Sequence, residues 1–237
     1  MKIFIFAFCL SLVGIQSGEQ NFEGILQINY KSLSGGRNAA DVYVKGDKFY
    51  IKKVFGGCDR YDSYIYDAGT HVLTCLSPQS PKTALSMDID KVLNIYDTMH
   101  LKSAFKTHVT TSYETTSSIK KIEGIDCVQK RTINQDTTYE IWTSDLKMNY
   151  RSLIPVLRLT GFWGYAEDKN NTILEGKVTI KNSSKNSTLN VNLVPTKVED
   201  DLFVIPQNYQ QVDLDKFLVN GYKSPRFGEL VKAFTGF

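Results

Sequence analysis

Three histidines are the residues of this chain best suited to activate a nucleophile or transfer a proton. His71 lies in an apparent hairpin, His100 follows a segment with helical spacing, and His108 lies in a Thr-rich strand. Nucleophilic catalysis through Ser or Cys needs a histidine poised beside the nucleophile. None of the three belongs to a G-x-S-x-G, H-E-x-x-H or C-x-x-C motif. We therefore predict surface or packing roles for all three histidines and no enzymatic activity.

Acidic side chains are the second candidates for chemistry. Asp88 with Asp90, and the run 199–201, could serve as glycosidase acids or calcium ligands. They fall at a predicted helix start and a turn, where acids cap helices and face water. Cys and His do not occur at zinc spacing, and the glycine pairs at 35–36 and 56–57 lack the Lys-Ser/Thr of a phosphate-binding loop. The sequence predicts no cofactor and no metal, with a hydrolase of envelope material as a weaker alternative.

Aromatic residues form the most informative set, with 13 Tyr, 13 Phe and 2 Trp in 237 residues. Alternation places two tyrosines on one face of a strand, and a third tyrosine and a tryptophan on opposite faces of a later strand. Each residue is most simply part of the core. Together they could also line a pocket for an apolar ligand. The candidate ligand-contacting residues are Tyr64, Tyr66, Tyr139, Trp142, Phe162 and Trp163.

The first 18 residues have the pattern of a secretory signal peptide. Lys2 precedes an apolar run from Ile3 to Ile15, and no acid occurs before Glu19. The run is shorter than the ~20 residues that span a bilayer. We predict cleavage after Ser17 or Gly18, a periplasmic or secreted protein, and no integral membrane segment.

Cysteines remain at three positions after cleavage, in a compartment that permits disulfides. Cys58 and Cys75 bracket a predicted hairpin that turns at 67–70. A turn centred between residues 68 and 69 leaves the two cysteines four positions out of register. A Cys58–Cys75 bridge therefore needs the chain to fold back at 56–57. For Cys127 we predict a buried thiol, with pairing to Cys58 or Cys75 as the lesser alternative.

Alternation with a period of two dominates the chain and predicts the fold class. In residues 24–30, Leu26, Ile28 and Tyr30 share one face, and similar half-buried strands recur between Gly, Asn and Asp turns. Helical spacing begins at Asp88 and continues to Met99, and again within 213–237. We predict a mainly β (α+β) single domain over 19–237. It is a large curved antiparallel sheet or half-open barrel with a few covering helices and a C-terminal helical segment at 213–237.

Net charge is +3, or +2 without Lys2, and this near balance implies neither a nucleic acid nor an anionic lipid partner. Basic pairs such as Lys52-Lys53 and Lys120-Lys121 are scattered and are most simply solvated strand edges.

Several segments, taken in order, resemble an uncharacterised family of exported bacterial proteins of the Bacteroidetes type, similar to the periplasmic lipoprotein carriers of the Lol system. The marks are G-x-x-C at 124–127, E-I-W-T-S-D-L at 140–146 and K-G-D-K at 45–48, within a resemblance that covers about 22–214. It implies a half-open antiparallel barrel whose helices cover a concave face that shields acyl chains. No ligand-contacting residue of the carriers is matched here.

Two functions follow as expectations. The first is an exported, non-enzymatic protein that binds a lipid, acyl chain or lipoprotein in a half-open β-barrel. The alternative is a cell-envelope structural or protein-interaction module with a filled core. Periodicity does not separate a filled core from a cavity, and it leaves the oligomeric state open.

Overall fold

The computed structural model describes residues 21–55, 61–91, 113–148, 153, 156 and 171–213. Twelve strands and one turn of 3-10 helix, Asp200–Phe203, account for most of them. The strands are β1 Gly24–Lys31, β2 Arg37–Lys45, β3 Lys48–Phe55, β4 Ser63–Asp67, β5 Val72–Ser77, β6 Thr83–Asp88, β7 Glu114–Ile122, β8 Ile125–Asn134, β9 Thr137–Ser144, β10 Thr172–Ile180, β11 Asn186–Pro195 and β12 Gln210–Asp213.

All twelve strands belong to one sheet, which is curved and does not close. Their order is β12-β6-β5-β4-β3-β2-β1-β11-β10-β9-β8-β7, so β12 and β7 are the edges. Every pairing is antiparallel except that of β12 with β6, which is parallel. The predicted fold class, a large curved sheet of mainly β structure, is confirmed.

The predicted turns join the strands where the sequence places them. Gly46 and Gly124 have φ of 58° and 80°, a region that residues with a Cβ seldom adopt, and they close the β2–β3 and β7–β8 hairpins. The β4–β5 hairpin differs in register. The prediction places Cys75 opposite Asp62, whereas the structure places it opposite Tyr64. The cause is a longer loop, 68–71, held by the Asp67 carboxylate, which accepts hydrogen bonds from the backbone N–H groups of residues 69 and 70.

One face of the sheet carries most of the hydrophobic core, and we call it the core face. Its defining residues are Leu26 and Ile28 of β1, with no more than 1% of their surface exposed. Because opposed residues in a sheet share a face, the pairing register extends this face across the strands. One cross-strand row is Leu85, Cys75, Tyr64, Ile51, Val42, Leu26 and Leu193, and a second is Met87, Leu73, Tyr66, Phe49 and Val44.

The opposite face is partly covered by a segment that sequence patterns do not reveal. Residues 196–209, here called the strap, connect β11 to β12 and so cross from β1 to β6. Phe203, Ile205 and Tyr209 of the strap pack on a small cluster around Ala84, whose surface is fully buried. Burial of these apolar side chains stabilises the sheet, because without the strap this part of the opposite face would be exposed to water.

The first predicted helix begins as expected. Asp88 ends β6, and its carboxylate accepts hydrogen bonds from the backbone N–H groups of Asp90 and Lys91, which are helical. Asp88 is therefore the predicted N-cap. The continuation of this helix to Met99 lies outside the described residues, as do residues 1–20 with the predicted signal peptide and 214–237 of the C-terminal helical segment. Asp213, at the start of that segment, ends strand β12.

Candidate functional site

Two of the predicted ligand-contacting tyrosines lie in a packed part of the core face. Tyr64 and Tyr66 are 2% and 3% exposed. The ring of Tyr66 stacks on Phe49 with centroids 6.0 Å apart, and that of Tyr64 is 6.2 Å from Tyr61. Burial, together with Asp90 and Asp67, raises the pKa of Tyr66 to about 12. Both rings are buried and contact neighbouring aromatic side chains, as in a filled core.

Tyr139, the third predicted tyrosine, lies in a different part of the core face. It is only partly buried and opposes Val178 of β10, which in turn opposes Ser187 of β11. On the far side of Ser187 lies Tyr30 of β1, partly buried and opposite Leu189. We call Tyr30, Tyr139, Val178, Ser187 and Leu189 the floor. At about 4.8 Å between strands it spans roughly 14 Å across β1, β11, β10 and β9.

Ser187 gives the floor a polar centre. Its side chain is 3% exposed, and its hydroxyl has no hydrogen-bond partner among the described residues. A buried hydroxyl without a partner costs about 1–3 kcal/mol. Such a group is of the kind that a bound molecule with an acceptor oxygen would satisfy.

A glycine adjoins the floor. Gly176 is buried on the core face between Leu189 of β11 and Ile141 of β9. It contributes no side chain to the core face, and a glycine within a strand permits the close approach of another group.

Exposure of the core face increases towards the β7 edge. Ile141 is fully buried, whereas Val128 of β8 is partly buried and Ile119 of β7, which opposes it, is 70% exposed. The described core face is therefore packed across β6 to β2 and opens across β8 and β7.

Trp142 lies on the face opposite to Tyr139 and Ile141, as the alternation of β9 predicts. The Lys120 Nζ is 4.4 Å from the centroid of its ring, and the same ammonium forms an ion pair with Glu175. A cation over an indole face is a favourable contact. Trp142 therefore belongs to a contact between β7, β9 and β10 and not to the floor.

Cys127 lies beside this contact, opposite Lys120 in the β7–β8 register. It is fully buried and forms no disulfide, as predicted, and burial raises the pKa of its thiol. A thiol that is buried and protonated is a packing residue and not a nucleophile.

The remaining candidates for chemistry are dispersed. His71 is half exposed and contacts the Asp90 carboxylate, with 2.6 Å between Nδ1 and Oδ2. Asp200 of the strap pairs with Lys45, whose hydrogen bond holds the pKa of Asp200 below its usual range, and Glu199 pairs with Lys197. His71 thus has a carboxylate partner but no serine or cysteine nucleophile in contact with it in the described structure.

Four predicted residues cannot be placed: Phe162, Trp163, His100 and His108 lie outside the described residues. Cys58 does too, so the Cys58–Cys75 disulfide stays a prediction; Cys75 itself is buried on the core face. Sequence reasoning missed Tyr30 and Ser187 as site residues. Tyr30 was assigned to the correct face, but nothing in the pattern marks one Ser on an alternating strand as lacking a hydrogen-bond partner.

Within the described ranges, no helix is long and apolar enough to cross a membrane. The same residues contain no group of three or more His, Cys, Asp or Glu side chains that could hold a metal ion.

No protein-family model and no curated protein matches the chain. Three solved structures are similar at low identity. One is PNGF-II, with 12% identity and a TM-score of 0.41, in a match that covers 86% of this chain and 34% of that one. Another is an uncharacterised conserved protein from Thermus thermophilus, with 9% identity, a TM-score of 0.44, and 81% and 91% coverage.

The third is a DUF1329 family protein from Desulfovibrio piger, with 12% identity and a TM-score of 0.31 over 76% of this chain and 88% of that one. The chain spans about a third of the length of PNGF-II. Likenesses of this size assign neither a family nor a function. The likeness to the Lol carriers is found in none of these matches and stays a prediction.

Proposed function

We propose that this is an exported, non-enzymatic protein that binds an apolar molecule carrying an acceptor oxygen, such as an acyl chain with its ester or carboxyl group, against the floor. The observation that carries the proposal is the buried Ser187 hydroxyl without a partner on an otherwise apolar surface. The partly exposed rings of Tyr30 and Tyr139 flank it.

The chemistry of the floor fits such a ligand. Val178 and Leu189 are apolar and would contact hydrocarbon, while the Ser187 hydroxyl would donate a hydrogen bond to the acceptor oxygen. Because Val178 and Ser187 are buried, the ligand reaches them only when neighbouring side chains move aside, and we propose that Tyr30 and Tyr139 are the ones that move. Both rings are at the margin of the core cluster, where side chains change rotamer at low cost.

Two features favour the β7–β9 side of the core face as the route by which the ligand reaches the floor. Ile119 and Val128 are the more exposed apolar residues of the core face near the open β7 edge; they lie two cross-strand rows from Tyr139, whose own β8 neighbour is Thr132. In the two packed rows that cross β6 to β2, every apolar side chain named above is buried.

The test is titration of the full chain with a fluorescent acyl probe. We expect Tyr139→Ala to weaken probe binding about tenfold or more, because the aromatic ring supplies a large contact area. Ile133→Ala is the matched control: Ile133 lies on the same β8–β9 hairpin and is 61% exposed, but on the opposite face. Equal affinities for the two variants and the wild type would favour the alternative, an envelope interaction module with a filled core.

A further inference from the structure

Charge is segregated between the two ends of the sheet. We call the end where β1 ends and β2 begins the basic end, and the end where β2 ends and β3 begins the acidic end. The strand directions place Lys31, Arg37, Lys82, Lys181 and Lys185 at the basic end, with Asp62, Asp136 and Glu114 as the acids there. Acids outnumber lysines at the opposite end: Glu23, Asp47, Asp67, Asp88, Asp90, Glu123, Asp126, Asp145, Glu199 and Asp200, against Lys45, Lys48, Lys91, Lys121, Lys147 and Lys197.

The basic residues are concentrated on adjacent strands. Arg37 begins β2, Lys31 ends β1, Lys185 precedes β11 and Lys181 follows β10, and these four strands are neighbours in the sheet. The acid Asp62 lies beyond this group, next to β4, whereas Asp136 adjoins it, because the Asp136 carbonyl accepts a hydrogen bond from the Lys181 N–H. We call Arg37, Lys31, Lys185 and Lys181 the basic row. With about 4.8 Å between strands, this row is roughly 14 Å wide.

The cations of the two ends also differ in their partners. At the acidic end, Lys45, Lys91, Lys121 and Lys197 each form an ion pair with an Asp or Glu. At the basic end, no ion pair to Lys31, Arg37, Lys181 or Lys185 occurs within the described part of the chain, and the last three are exposed. These cations are therefore available to anions from outside the protein.

An exposed apolar pair adjoins the basic row. Val54 and Phe55, at the end of β3 beside Arg37's strand, are 57% and 46% exposed. The β2–β3 register is irregular at this point, because Lys53 opposes Ala40 and Phe55 opposes Ala39, which leaves Val54 unpaired between them. Large apolar side chains beside unpaired cations are the combination that binds the interface of an anionic bilayer, where rings enter the headgroup region and lysines contact phosphates.

We propose that the basic end docks on a membrane surface that carries anionic lipid headgroups, with Arg37, Lys181 and Lys185 facing the phosphates and Val54 and Phe55 entering the interface. A soluble polyanion would account for the cations but not for the exposed valine and phenylalanine. The proposal does not depend on a ligand at the floor. If both are correct, the floor lies on the half of the core face nearest the membrane, since Tyr139 and Ser187 are close to the basic end of their strands.

The test is co-sedimentation of the full chain with vesicles of phosphatidylcholine, with and without phosphatidylglycerol. We expect binding only to the mixed vesicles, and binding that weakens as salt is added. The triple variant Arg37→Gln/Lys181→Gln/Lys185→Gln should partition about a hundredfold more weakly, since each basic residue contributes roughly fivefold. Val54→Ser/Phe55→Ser should lower partitioning by about tenfold, through lost apolar contact.

The matched control is Lys48→Gln/Lys121→Gln/Lys197→Gln, which removes the same charge from the acidic end. Its affinity for the mixed vesicles should be within about twofold of that of the wild type. Every variant also contains the apolar run at residues 3–15, so any membrane affinity of that run is the same in all of them and does not affect the comparison. Equal losses in both triple variants, no loss in either, equal binding to pure phosphatidylcholine, or binding to heparin without binding to vesicles would each overturn the proposal. Circular dichroism of each variant verifies that the sheet is intact.

Discussion

The two ends of this sheet are built from the same strands, yet they differ in how far their charged and polar groups find partners within the chain. At the acidic end, the chain is held by its own contacts: Asp88 caps a helix, Lys45 bonds to the strap, and Phe49 stacks on Tyr66 within a packed core. At the basic end the cations are without described ion pairs, and a buried hydroxyl, that of Ser187, is unsatisfied. The contacts described at the acidic end are made within the chain, whereas the basic end has cations and a buried hydroxyl without described partners, and that is where a functional surface is expected.

Loss of a packed side chain should show the largest contrast between the two ends. Phe49 is fully buried, so Phe49→Ala should lower the free energy of unfolding by about 3–5 kcal/mol. Tyr30→Ala should lower the free energy of unfolding by about half as much or less, because Tyr30 is only partly buried at the floor. Urea unfolding measures both values; equal costs would mean that the floor is packed as tightly as the acidic end.

A pair of serine substitutions sharpens the contrast. Ser187→Ala removes an unsatisfied buried hydroxyl, so we expect the ligand-free protein to gain about 1 kcal/mol of stability while acyl-probe affinity falls. Ser86→Ala should instead cost about 1 kcal/mol, because the Ser86 Oγ is 2.8 Å from the Oγ1 of buried Thr74. If Ser187→Ala also destabilises the ligand-free protein, its hydroxyl has a partner and the argument for a ligand acceptor fails.

The smallest predicted effect is the pH dependence of proteolysis in the strap. The hydrogen bond and charge of Lys45 hold the pKa of Asp200 below its ordinary value. A depressed carboxyl pKa contributes stability above the unfolded pKa of roughly 4, and that contribution is lost as the pH falls through the folded value. Limited proteolysis of the strap should therefore accelerate slightly at acidic pH, and Lys45→Met should remove this acceleration. The Asp200 side chain is exposed, so the change is small, and an unchanged pH profile in Lys45→Met would show that the pair does not hold the strap.

Local patterns were sufficient to predict the sheet itself. Alternation in β1 located the buried Leu26 and Ile28, Gly46 and Gly124 marked hairpins, and Asp88 was identified as a helix cap because each of these signals depends on a few consecutive residues. The β4–β5 register was two residues off because side-chain bonds of Asp67 lengthen the loop, and hairpin spacing alone does not reveal such bonds.

The site depended on contacts between distant segments, which no local pattern encodes. Tyr64 and Tyr139 have the same alternation, yet one is packed and the other is at the margin, because they lie on strands separated by five others in the sheet. The near-neutral net charge likewise concealed the segregation of charge, since Arg37 and Lys181 are far apart in sequence and come to the same end of the sheet only through the β1–β11 pairing.

The most direct test of the central claim is native mass spectrometry of the full chain purified without added lipid. We expect a population heavier than the chain by the mass of an apolar molecule with an oxygen acceptor, reduced in Ser187→Ala and in Tyr139→Ala but retained in Ile133→Ala. A single species at the mass of the bare chain, in protein that also fails to take up an acyl probe, would show that no ligand binds at the floor and that the core face is a filled core.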